Sequence, residues 1–245
     1  MTIFEVVRAL GPIDVKSVRR DPLLRWLIVY PLAMALLIRW GVPILRAHLL
    51  TRFQFDLHPY YGLFMSFVLL MTPVLAGIVI GFLLLDQRDD QTLTALQVTP
   101  LTLSGYFAYR IAVPTVVSFV VTLAVLPLAG LLDLGPLATV IAALSSCLLA
   151  PIYAVFLGAF ASNKVQGFAL SKALGVLLLP PLVAYFVNPP WQFLFGLDPL
   201  YWPVKVFWLV EAKAVIAWVY LAIAIIVQVF VLRLLLQRMN HRGTT

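Results

Sequence analysis

Residues 60–85 read YYGLFMSFVLLMTPVLAGIVIGFLLL, an unbroken apolar run without one charged side chain. At a rise of about 1.5 Å per residue, a helix of this length crosses a hydrocarbon layer of about 30 Å. Inside such a layer every backbone N–H and C=O must be satisfied by the chain itself, which a helix does within its own segment. The pair Tyr60 and Tyr61 opens the run where amphipathic rings favour the boundary with water. Similar runs precede and follow it: from Leu23 or Trp26 to about Leu45, then residues 106–131, 137–161, 168–187 and 214–236. Pro31, Arg39 and Pro43 make the first run imperfect, and Pro180-Pro181 interrupts the fifth. The expectation is an all-α membrane protein with six transmembrane helices, its 245 residues forming one membrane domain.

Composition agrees. Hydrophobic residues make up 63% and charged residues 11% of the chain, with a mean hydropathy of +1.03. Soluble domains hold roughly 45–50% apolar and about 25% charged residues, so no water-soluble globule hides this much apolar surface. The net charge of +7 would suggest nucleic acid in a soluble protein. In a membrane protein Lys and Arg have a simpler role, because they mark the cytoplasmic side. With a cytoplasmic N-terminus, twelve fall inside (Arg8, Lys16, Arg19, Arg20, Arg25, Arg88, Arg110, Lys164, Lys172, Arg233, Arg238, Arg242) and five outside (Arg39, Arg46, Arg52, Lys205, Lys213). This count predicts a multi-pass protein of the plasma (inner) membrane with both ends cytoplasmic and no nucleic-acid partner. The lone Cys147 sits in an apolar run, so no intramolecular disulfide can form.

Residues 1–22 carry too many charges for a cleavable leader. Ile3, Phe4, Val7 and Leu10 recur at helical spacing, which predicts an amphipathic helix in the membrane interface, in contact with lipid, before the first span. Residues 46–59 read as a polar outer loop and residues 133–136 as a tight turn. Residues 188–213 form a long outer loop rich in Trp and Pro, which predicts short helices lying at or dipping into the outer surface. Gly77 and Gly81 in the second span, and Ala154 and Gly158 in the fourth, place small residues four apart. Such rows let backbones approach closely, either between subunits of a dimer or between neighbouring helices of one chain.

Catalytic chemistry has few candidates. His48, His58 and His241 lie in a loop or tail without paired metal-ligand spacing. The chain has no Gly-rich phosphate loop followed by Lys-Ser or Lys-Thr, and no Ser in a nucleophile elbow. Acidic residues stay out of the span centres, leaving Arg39 as the one deeply placed charge, either snorkelling outward or facing a polar cavity in a translocation path.

The second and third spans are joined by an insertion, DQRDDQTLTALQVTP at residues 86–100. Asp89 and Asp90 suit the N-terminal end of a short helix, Leu93 and Leu96 share a face at i, i+3, and Pro100 ends the element after Thr99. A capped, partly apolar helix outside the bilayer suits docking to a partner.

This layout resembles the permease subunits of type-2 ATP-binding-cassette (ABC) exporters, in particular drug- and haem-exporter permeases. The resemblance rests on Thr92-Leu93, Leu96 and Thr99-Pro100 in the insertion, with Gln91 where Gly is usual and Asp86 where Glu is common. Arg20-Asp21-Pro22 before the first span and Asp198-Pro199-Leu200-Tyr201 ahead of the last also fit. It implies a six-span half-transporter with an entry helix, a cytoplasmic coupling helix within residues 86–104, and short outer helices before the last span. The coupling residues would be Asp86, Arg88, Asp89, Asp90, Thr92, Leu93, Leu96, Thr99 and Pro100, docking a cytoplasmic ABC ATPase. It further implies a second copy or a related permease subunit, with ATP and Mg²⁺ bound by the ATPase and no cofactor in this chain. Export of a hydrophobic or amphipathic compound would follow. A secondary transporter and an integral membrane lipid-modifying enzyme are the rival readings.

Overall fold

The computed structural model describes residues 3–89 and 103–242. Among these residues the chain is helical, without a strand, and six helical stretches are long and apolar enough to cross a membrane. Helix α1 spans Ile3–Arg20, α2 Pro22–Phe53, α3 Tyr61–Asp89 and α4 Leu103–Ala129. The fourth span is split into α5, Pro136–Ser146, and α6, Leu149–Phe160. The fifth runs through α7, Lys164–Gly175, a 3-10 turn and the short α8, Leu179–Val183. Then follow α9, Pro189–Gln192, α10, Tyr201–Glu211, and α11, Ala217–Arg242.

Burial separates the spans into two classes. The second and fourth are 83% and 78% buried over their most apolar windows, against 22–28% for the other four. They form the centre, and the rest keep one side open to lipid. Close approach at the centre comes from glycine. A Cβ on Gly77 would collide with the Ala150 carbonyl and with Tyr153, and one on Gly81 would meet Leu157. Ala154 is fully buried in the same seam, and Gly158 faces Met239 of α11 and Leu84 of α3. The four small residues thus serve helix packing within one chain.

Three boundaries differ from the sequence-based expectation. Helix α2 does not stop near Leu45. It continues to Phe53, and its 32 residues make about 48 Å of helix, which projects beyond a layer of about 30 Å. Gln54, in the left-handed conformation with φ 53°, ends it, and Arg46 grips Asp56 through two bonds of 2.7 and 3.2 Å to close the corner. The Arg46 guanidinium and the His58 N–H hold the Asp56 carboxyl down at about 2. Secondly, α3 runs on to Asp89, so Asp86, Arg88 and Asp89 belong to the end of the second span, not to a separate loop helix. Thirdly, the fourth span breaks at Cys147–Leu148. Pro151 has no N–H to offer the Cys147 carbonyl. Ala150 donates to it instead at 3.3 Å, which tightens the turn. Gln228 Nε2, fully buried in α11, donates to the Ser145 carbonyl at 2.7 Å beside the break.

The 188–213 region is built of short helices as expected, but α10 enters the bundle. Tyr201, Val204, Val206 and Phe207 are fully buried, and Leu200 and Val204 join a core cluster with Leu70, Leu149 and Tyr153. Trp208 is drawn in with them, donating to Ser66 Oγ at 2.8 Å.

Gly77→Ala should destabilise the protein by about 1–3 kcal/mol, because the added methyl meets backbone at a rigid seam. Gly175→Ala, where nothing lies within 4 Å of the new methyl, should be neutral. Thermal unfolding in detergent, followed by circular dichroism, compares the two.

Candidate functional site

The two ends of α1–α2, α3 and α7 meet at one face, here called the base. Asp21 stands between α1 and α2 and caps α2, accepting from the Leu23 N–H at 2.8 Å with Pro22 next in the chain. Lys164 Nζ, at the start of α7, lies 2.7 Å from Asp21 and 3.1 Å from Asp86 at the end of α3. One ammonium therefore ties the entry of the first span, the exit of the second and the entry of the fifth. The same ammonium, together with the cap bond, lowers the Asp21 carboxyl below its ordinary value.

Beside this tie is a more deeply enclosed one. Asp14 of α1 and Arg110 of α4 are buried, the Arg110 side chain only 2% exposed. The guanidinium holds the carboxylate in a two-pronged grip at 2.8 and 3.2 Å, the geometry that gives charge-assisted bonds their strength and direction. Tyr109 donates its hydroxyl to the same carboxylate at 2.8 Å. Arg110 also lies 5.3 Å from the ring centres of both Tyr106 and Tyr109, within cation–π range. Tyr106 donates to Gln87 Oε1 at 2.9 Å, and Gln87 Nε2 reaches Asp14 at 3.5 Å. Leu10 packs on the two tyrosines.

This network sits on the two stems of the insertion between spans two and three. Gln87 is at the end of α3; Tyr106, Tyr109 and Arg110 are at the start of α4. Of the residues expected to dock a partner, Asp90, Thr92, Leu93, Leu96, Thr99 and Pro100 lie outside the described residues. Arg88 and Asp89 are on the last turn of α3, and Asp86 is engaged with Lys164.

Arg39 is exposed and extends to the opposite face, where Nη1 donates to the Leu128 carbonyl at the end of α4 at 3.1 Å. A cation there meets the negative end of the helix dipole. Arg110, by contrast, is buried. Asp198, just before α10, accepts from the Leu200 N–H at 2.9 Å, and its Oδ2 is buried with no partner among the described residues. Sequence reading missed the Asp14–Arg110 pair because the residues are 96 positions apart and each alone looks like an ordinary charge near a membrane surface.

A family model described as fluoroquinolones export permease protein Rv2686c-like matches residues 14–236. The chain belongs to that family. Two curated relatives carry the name fluoroquinolones export permease protein, one from Mycobacterium tuberculosis strain ATCC 25618 / H37Rv and one from strain CDC 1551 / Oshkosh. Each is 36% identical over 203 residues, covering 82% of this chain and 81% of the relative. No solved structure matches. The matched stretch of the permease takes in Asp14, the whole Arg110 network and the Lys164 tie. This export permease is thus a multi-pass membrane protein whose base is held by two ionic clusters.

Removing one partner of a buried ion pair strands the other and costs about 3–5 kcal/mol, whereas replacing both by apolar groups can be close to neutral. Arg110→Met should accordingly free α1, speeding amide hydrogen exchange across residues 8–20 at least tenfold. The double variant Asp14→Leu, Arg110→Met should recover most of the protection, as read by exchange mass spectrometry.

Proposed function

We propose that this permease is the membrane half of an ATP-driven, type-2 ABC exporter. It moves a hydrophobic or amphipathic compound, of the class named for its mycobacterial relatives, from the cytoplasm or inner leaflet outward. The single observation that carries this reading is the grip of Asp14 on both stems of the 90–102 segment, through Arg110 and Tyr109 on one side and Gln87 on the other. A segment whose two stems are clamped to a surface helix can pass a push from outside the membrane into the second and third spans together. A loop on slack stems would absorb it. The absence of a phosphate loop from the chain leaves ATP and Mg²⁺ to a separate ATPase subunit. Six spans with two of them central leave the lipid-exposed sides of the other four available for a second copy or a related permease. The base, with Lys and Arg in excess, is the cytoplasmic face. Both chain ends then lie in the cytoplasm and the protein in the plasma membrane.

Within the segment, Leu93 and Leu96 are the apolar pair that would enter an ATPase groove. Burial of such a side chain contributes on the order of 1.5–3 kcal/mol, and a carboxylate in its place would be desolvated without a partner. Leu96→Asp should reduce capture of the ATPase by about tenfold or more in a pull-down from detergent, while Thr94→Asp, on another face, should capture it normally. Equal capture by Leu96→Asp and the wild type would remove the docking assignment.

A further inference from the structure

Helix α1 has two sides, and only one is used by the bundle. Leu10 and Asp14 are buried against α4, and Val18, on the same side, packs on the core. At about 100° per residue, Arg8, Pro12, Val15, Lys16 and Arg19 fall on the opposite side, with Arg20 at its edge. All six are exposed. Pro12, Val15, Lys16, Arg19 and Arg20 line an open groove of about 520 Å³. None of the four cations has an ion-pair partner among the described residues, where the carboxylates Asp14, Asp21 and Asp86 are already taken by Arg110 and Lys164.

The position of the groove along the chain limits what can fill it. The Asp21 N–H donates to the Ser17 carbonyl and the Asp21 carbonyl accepts from the Arg25 N–H, so α1 passes into α2 with hardly a gap. Trp26, one turn into α2, is 72% exposed, and an exposed Trp at the start of a span marks the headgroup level. Arg19 and Arg20 are six or seven residues from it. The groove therefore lies at the membrane surface and not out in solution. Its lining is apolar at Pro12 and Val15, with Ile13 exposed beside it, and cationic at Lys16, Arg19 and Arg20.

From these observations we infer that the outer side of α1 is a binding site for anionic phospholipid. The phosphate is held by Lys16, Arg19 and Arg20, with Arg8 more than two turns away, and the glycerol and upper acyl carbons lie on Pro12 and Val15. Charge complementarity, an apolar lining and placement at headgroup depth all select a lipid over a soluble anion, and clustered Lys and Arg beside a span are suited to anionic leaflets. Because α1 is fastened to the stems of the 90–102 segment, the lipid would set the seat on which that segment rests. The inference stands whether or not an ATPase drives the permease.

The test uses the full chain in detergent, titrated with phosphatidylglycerol or phosphatidylcholine and read by native mass spectrometry of lipid adducts. Wild type should bind phosphatidylglycerol at least about tenfold more tightly than phosphatidylcholine. Lys16→Gln, Arg19→Gln, Arg20→Gln together should abolish that preference, since each cation near an anionic surface is worth about fivefold. Arg19→Lys, Arg20→Lys should keep it, which separates loss of charge from loss of fold, and Arg46→Gln at the opposite face should leave it unchanged. An unaltered preference in the triple Gln variant would overturn the site, as would equal binding of the two lipids by wild type. A triple variant that keeps its lipid preference but no longer captures an ATPase would assign the face to the protein partner instead and overturn the lipid proposal.

Discussion

The base of this permease depends on one buried ion pair. Asp14 and Arg110 come from a surface helix and from the third span, and burying both in an apolar bundle is tolerable only because each neutralises the other in a two-pronged bond. Tyr109 and Gln87 complete the coordination of the carboxylate, so the polar group most costly to bury becomes the place where three helices are indexed to one another. An apolar contact would hold α1 equally close without fixing its rotation. The ion pair sets which side of α1 meets the bundle, and hence which side, with Lys16, Arg19 and Arg20, is left exposed.

Above the base, backbone proximity takes over from charge. Lipid tails are as apolar as the side chains they would displace, so spans associate through close packing and interhelical hydrogen bonds. The glycine seam between the second and fourth spans supplies the first, and Gln228 to the Ser145 carbonyl and Trp208 to Ser66 supply the second. These contacts lie within one chain. Two buried central spans are flanked by four largely exposed ones, with the Pro151 break and the inserted α10 as the irregular points in the bundle.

Sequence reading reached the spans because each is a one-dimensional signal: about twenty apolar residues leave a mark that no folding event can hide. A helix at the N-terminal end was legible for the same reason, from Ile3, Phe4, Val7 and Leu10 at helical spacing, but not that Leu10 turns to Tyr106 and Tyr109 instead of lipid. What was not legible is pairing over long distance. Asp14 with Arg110, and Asp21 and Asp86 with Lys164, each look like unremarkable polar residues near a boundary until the chain folds. For Arg39 the sequence leaves two courses open, outward or into a polar cavity, and only the fold brings its side chain to the Leu128 carbonyl. The end of α2 was placed too early because Arg46 and Arg52 read as loop residues. A helix that projects past the bilayer can carry charge on its last turns, and here the Arg46–Asp56 fork stabilises the projection.

The chain belongs to an export permease family, and the proposed function makes it the membrane half of an exporter worked from the base by a separate ATPase. The most direct measurement is transport in inside-out vesicles or proteoliposomes containing this chain with and without its ATPase subunit, following a fluorescent fluoroquinolone while an ionophore collapses the proton gradient. The account predicts uptake that requires both subunits and ATP and that persists when the gradient is gone. Uptake by this chain alone, driven by the gradient and indifferent to ATP, would contradict it and make the permease a secondary transporter.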